Sequence, residues 1–207
     1  MYHGERFNSI THLVGTVFAL AGLVVLVLVV VAVRQGDPWK IVSFSLYGAT
    51  LFTLYGSSTL YHSLRGRAKA IFRKFDHLAI YLLIAGSYTP FMLVTLGGGW
   101  GWSLFGVVWG LALFGMALEF LPRRGARVLS MVIYFLMGWL VLIALGPLWR
   151  ALPLMGLVWL VAGGLLYTVG AVFYGLDKKL RHAHGIWHLF VLAGSASHYF
   201  AILYYVA

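Results

Sequence analysis

The chain has 207 residues, of which 62% are hydrophobic and only 10% charged, with a formal net charge of +10 and no cysteine. A soluble domain carries about a quarter charged residues, so this composition excludes an ordinary soluble enzyme and points to an all-α, polytopic membrane protein. Without cysteine there is no disulfide framework and no thiolate metal site, so any metal must be held by histidine, carboxylate or water.

Apolar runs predict seven spans, at about 10–33, 40–63, 76–97, 100–121, 127–149, 152–175 and 185–207, in a single domain covering 1–207. Breakers separate them: RQGDP at 34–38, LRGRAK at 64–69, GGG at 97–99, PRRG at 122–125 and DKKLRH at 177–182. The first stretch is too long for a signal peptide and reads as a span. Pro90 lies inside the third span, where it should kink the helix and free a carbonyl. Gly106 and Gly110 form a GxxxG pair in the fourth span, and Gly163 with Gly164 sits in the sixth; all four read as helix contacts.

The basic residues divide unevenly between the two sides. Arg6, Arg65, Arg67, Lys69, Arg73, Lys74, Arg123, Arg124, Arg127, Lys178, Lys179 and Arg181 fall on one side, and Arg34, Lys40 and Arg150 on the other. That asymmetry predicts a cytoplasmic N-terminus and an outside C-terminus. It also accounts for the net charge through lipid headgroups, with no nucleic-acid partner. No duplication supports an inverted repeat, which argues against a transporter.

This topology brings polar residues from four helices to one layer near the cytoplasmic face. Glu5, Asn8 and His12 share a face at the start of the first span. Ser58 and His62 share a face at the end of the second, Asp76 lies at the first turn of the third, and His184 and His188 open the seventh. Ionisable residues at membrane depth mark functional sites. The chemistry that fits is a zinc site, with His184 and His188, about 6 Å apart along the axis, clamping an ion together with His62. Asp76 either caps its helix or hydrogen-bonds the ion's water, and Ser58 orients that water or a substrate carbonyl. Asn8 or Ser9 is also a candidate N-cap of the first helix. His198, about 15 Å beyond His188, cannot share that ion and reads as a tie to another helix or a cavity floor. His3, His77 and His182 read as interfacial, and Glu119 as a member of an interfacial ion pair.

The segments ERFNSITHLVG (5–15), SSTLYH (57–62), FDHLAIYLLIAGSYTPF (75–91) and HGIWHLFVLAGSASHYF (184–200) together resemble the haemolysin III family. That is the bacterial branch of the progestin and adipoQ receptor group, in a superfamily that includes alkaline ceramidases. The resemblance spans nearly the whole chain. It implies seven transmembrane helices in a bacterial inner membrane and zinc on His62, His184 and His188. It also implies Asp76 contacting zinc through water, Ser58 as the family's serine, and His12 matching the family's TH pair. Possible outer-shell residues are Glu5, Asn8, His12 and His198. One departure is Gly185, where many bacterial relatives carry glutamate. Three functions follow as expectations: a zinc-dependent hydrolase of a lipid amide or ester, a receptor-like or membrane-homeostasis sensor with structural zinc, and a cytolytic pore. In the first two the partner is a membrane lipid or lipid-like ligand.

Overall fold

Pro38 opens a helix because Asp37 stands before it. The Asp37 carboxylate accepts from the backbone N–H of Trp39 at 2.9 Å and of Lys40 at 3.3 Å, meeting donors that a helix start leaves orphaned. The computed structural model describes residues 1, 4–33, 36–121 and 126–207. Among them the fold is entirely helical: α1 (Arg6–Val33), α2 (Pro38–Ser63), α3 (Gly66–Pro90), α4 (Gly98–Glu119), α5 (Ala126–Trp139), α6 (Leu145–Ala151), α7 (Leu154–Gly175) and α8 (Ala183–Tyr205). His3, Arg34, Arg123 and Arg124, with the PRRG break and part of RQGDP, lie outside the described residues, as does the side chain of Arg127.

Six helical segments among the described residues are long and apolar enough to cross a bilayer, so this is a membrane protein. They are Arg6–Ala32, Gly66–Leu96, Gly98–Glu119, Val128–Ala151, Leu154–Gly175 and Ala183–Tyr205. The 26-residue α2 is as long as they are but is diluted by serine, threonine, tyrosine and glycine. It compensates by packing between α1 and α3, with Ser43, Thr50, Ser57, Ser58 and His62 all buried. Neighbours run α1, α2, α3, α4, α5, α7, α8 and back to α1, and the seam between α5 and α7 is thin.

Three sequence expectations need correcting. The break at 64–69 is only Leu64 and Arg65, and the chain turns there through Gly66 at φ +57°, a left-handed conformation suited to glycine. Helix α3 therefore starts ten residues early, and Asp76 sits more than two turns inside it, not at its first turn. The GRAKAIFRKF segment reads as loop from its charges, but long basic side chains can reach water from a helix flank. Second, the fifth apolar run is not one α-helix: α5 tightens into a 3₁₀ turn, Leu140–Ala144, before α6. Third, a side chain added at Gly106 or Gly110 would meet nothing within 4 Å, so that GxxxG pair packs on no described part of this chain. Pro90 does disturb its helix: the next six residues, Phe91–Leu96, form a π-helical turn that ends at Gly97 and Gly98, both with positive φ. Gly163 marks a close helix contact, lying directly against the His198 ring of α8, and Gly164 is within 4.0 Å of Trp139.

Candidate metal centre

Helix α8 presents His184 and His188 one turn apart, and α2 brings His62 to the same level from across the bundle. One ring nitrogen from each of the three lies within 4.8 Å of the other two. The tightest pair is Nε2 of His184 and Nε2 of His62, at 3.3 Å. A tetrahedral ion bonded to imidazoles at about 2.0–2.1 Å requires donors about 3.3–3.4 Å apart, so this pair spans one tetrahedral edge.

The outward nitrogens fix which tautomer each ring adopts. Nδ1 of His62 lies 2.7 Å from the Glu5 carboxylate, which only accepts, so Nδ1 carries the proton and Nε2 keeps its lone pair. Nδ1 of His188 lies 3.3 Å from the Asn8 carbonyl and 3.2 Å from Thr11 Oγ1; by the same argument its Nε2 is bare, and it is buried with no hydrogen-bond partner. Nδ1 of His184 lies 3.6 Å from the Asp177 carboxylate. His62 and His188 are thus oriented from behind by hydrogen-bonding oxygens, and His184 faces a carboxylate at ion-pair distance, the kind of backing that metal-ligating histidines use. An orphaned buried nitrogen, lone pairs facing one another and an all-imidazole donor set fit zinc.

Glu5 is the hub of the outer shell. Besides His62, it accepts from Lys69 Nζ at 2.6 Å and from Asn8 Nδ2 at 3.1 Å. Burial alone would raise its pKa, but the hydrogen bonds from His62, Lys69 and Asn8 outweigh that and hold it at about 2. It therefore stays ionised throughout the ordinary pH range.

His12 does not hydrogen-bond a ligand. Its ring stacks on His188 at 3.6 Å between centroids and 13° between planes, and neither of its nitrogens has a partner. Asp76 is 4% exposed and lies beside Ser58 and His62. Ser58 Oγ faces this corner without a well-formed hydrogen bond. Gly185 carries no carboxylate, and its lack of a side chain is structural: a Cβ there would run into the Phe7 ring and Asn8 Oδ1, which hold α1 against α8.

The structure leaves His198 out of this cluster. Its Nε2 lies 3.1 Å from the Leu160 carbonyl of α7, which ties the two helices together. His182 takes a left-handed conformation (φ 63°) at the start of α8 and is exposed. The His77 ring lies 3.9 Å from Glu119, which also accepts from Tyr81 and Ser130, so both stay clear of the centre.

Beside Asp76 a cavity opens along the thin seam between α5 and α7. Its walls are mostly apolar, from Ile80 and Leu83 of α3 to Met131 and Phe135 of α5, while Asp76, His12 and His198 contribute polar atoms. The three ligand histidines do not line it, but Asp76, beside His62, and His12, stacked on His188, do. Sequence reasoning offered a cavity floor at His198, which does line this cavity, but not the cavity's other walls, and it missed Asp177, which reads there only as part of a loop.

Comparison with known proteins follows the same residues. The model of the family described as Haemolysin-III related matches residues 1–199. The chain is 44% identical over 204 residues to Hemolysin-3 of Bacillus cereus, covering 98% of this chain and 91% of that one. It is 44% identical over 202 residues to the Hemolysin-3 homolog of Bacillus subtilis, covering 97% and 93%. It is 30% identical over 176 residues to the human monocyte to macrophage differentiation factor, covering 82% and 73%. The match runs through the helices that carry the three histidines, Asp76 and Glu5, and the chain belongs to the haemolysin III-related family of membrane proteins.

Proposed function

We propose that this chain is a seven-span zinc protein of the bacterial inner membrane that hydrolyses a lipid amide or ester. Its N-terminus lies in the cytoplasm and its C-terminus outside. Helix α2 is the seventh span: Ser43, Thr50, Ser57, Ser58 and His62 are buried in the bundle rather than turned to lipid, which accounts for its modest hydropathy. The observation that carries the reading is the convergence of three imidazoles, their outward nitrogens tied to acceptors, beside a buried carboxylate at the mouth of an apolar cavity.

His62, His184 and His188 hold the ion. When bound, zinc supplies Lewis acidity that polarises a carbonyl and acidifies water at about neutral pH. The cavity takes the acyl chain and sets the scissile carbonyl beside Asp76. Asp76 is the general base: it accepts a proton from the attacking water and returns it to the leaving nitrogen or oxygen. Ser58 Oγ, with hydrogen-bonding capacity to spare, orients the carbonyl or the water. The apolar wall keeps bulk water from the acyl chain.

A second reading, a receptor-like or membrane-homeostasis sensor with structural zinc, is favoured by the way His62, His184, His188 and Glu5 join α1, α2 and α8. The two Bacillus relatives are called hemolysins; a cavity walled by aliphatic and aromatic side chains offers a lipid site rather than the polar lumen a pore needs.

The deciding experiment measures zinc in purified wild type, His62→Ala and His188→Ala, together with fatty-acid release from a lipid amide in mixed micelles. Zinc should be present in wild type and lost in both variants. Release should stop on chelation and in Asp76→Asn, which keeps its zinc. Equal zinc in all three proteins overturns the site. Zinc-dependent thermal stability with no release from any lipid ester or amide gives the structural reading instead.

A further inference from the structure

The cavity has a second polar end that the hydrolytic reading leaves unused. His198 lines the cavity ten residues beyond His188 on α8, about 15 Å further along the helix axis. It is 9% exposed. Its Nε2 faces the Leu160 carbonyl, which only accepts, so Nε2 carries the proton and Nδ1 keeps a lone pair. That Nδ1 is buried and has no hydrogen-bond partner.

The other polar groups at this depth are already engaged. Tyr88 donates to the Gly138 carbonyl and accepts from the Val141 N–H. Thr168 donates to the Gly164 carbonyl and accepts from Trp139 Nε1. Tyr167 pairs with Ser195, which also accepts from Tyr55. The ring of His198 is fixed in place as well: Gly163 admits it where any side chain would collide, and Tyr167 meets it edge-on at 5.4 Å. An unpartnered acceptor held rigidly at the far end of an apolar cavity recognises a donor at a set distance from the reacting end.

Building on the hydrolase reading, we infer that the acyl chain taken by this cavity carries a mid-chain hydroxyl, whose O–H donates to Nδ1 of His198. The reacting carbonyl lies at the Asp76 end and the hydroxyl at the His198 end. His198 is a specificity residue, remote from the chemistry.

Ricinoleic and oleic acids, alike in length and unsaturation, differ by one mid-chain hydroxyl. Their affinities for the intact detergent-solubilised protein are compared by thermophoresis. Wild type should bind ricinoleic acid about fivefold more tightly, the effect of one neutral hydrogen bond. His198→Phe, which keeps a ring but offers no acceptor, should bind both acids equally. His198→Gln, whose amide can donate to Leu160 and accept from the ligand, should restore the preference. Equal affinities in wild type overturn the inference, as does a preference that survives His198→Phe; the wild-type comparison stands even where a variant fails to fold. Failure of both acids to bind removes the lipid cavity altogether. Because binding of free acids needs no turnover, these outcomes are separate from failure of the hydrolase reading, which is read from zinc content and fatty-acid release.

Discussion

Replacing Glu5 with alanine tests whether the outer shell sets the metal site. The carboxylate holds Nδ1 of His62 at 2.7 Å and is itself held by Lys69 at 2.6 Å. Its removal frees the His62 ring to rotate and to take the other tautomer, with the proton on Nε2. Loss of such a partner lowers metal affinity about 10–100-fold, which is about 1.4–2.8 kcal/mol. Glu5→Gln keeps an acceptor but loses the charge, so it should fall near the small end of that range. Zinc affinity is measured by competition with a chromophoric chelator in detergent at neutral pH, alongside the melting temperature of the chelator-stripped protein. Zinc binding within about twofold of wild type in Glu5→Ala refutes the reasoning. So does a variant whose stripped form melts early while its zinc affinity is intact, since Glu5 would then merely join helices.

Other outcomes follow from the packing. Gly185→Ala pushes a methyl into Phe7 and Asn8 and should cost about 1–3 kcal/mol in thermal or denaturant unfolding; an unchanged midpoint would show that α1 shifts freely. Gly106→Ala and Gly110→Ala should each stay within about 0.5 kcal/mol of wild type in the monomer, and a large loss would reveal a contact outside the described residues. Asp37→Ala removes the cap of α2 and should cost about 1 kcal/mol, read as a lower melting temperature; equal melting would mean that water replaces the cap.

The histidine cluster was largely legible in the sequence because its information is local. His184 and His188 share a face by helical spacing, and the charge asymmetry sets the depth of His62 against them. Glu5, Asn8 and His12 declare a common face in the same way. What spacing conveys is a face, and it leaves open what that face meets. Hence Gly106 and Gly110 read as a contact although no described residue lies beside them, and His12 reads as an outer-shell residue without the spacing revealing that it stacks on His188. The position of Asp76 along its helix was misjudged because the basic residues at 65–74 look like loop, whereas only Leu64 and Arg65 separate the helices. The walls of the cavity were illegible because it arises where α5 and α7 touch only sparsely, and no residue pattern records a sparse contact.

The three ligand rings are unequally sheltered. His62 and His188 are almost sealed, whereas the side chain of His184 is 23% exposed and leans on Asp177 in the short segment before α8. An ion held by all three has one open flank, and traffic to and from bulk solvent passes there. A chelator approaching such a centre would reach His184 first, the ring whose backing carboxylate lies in the stretch joining α7 to α8.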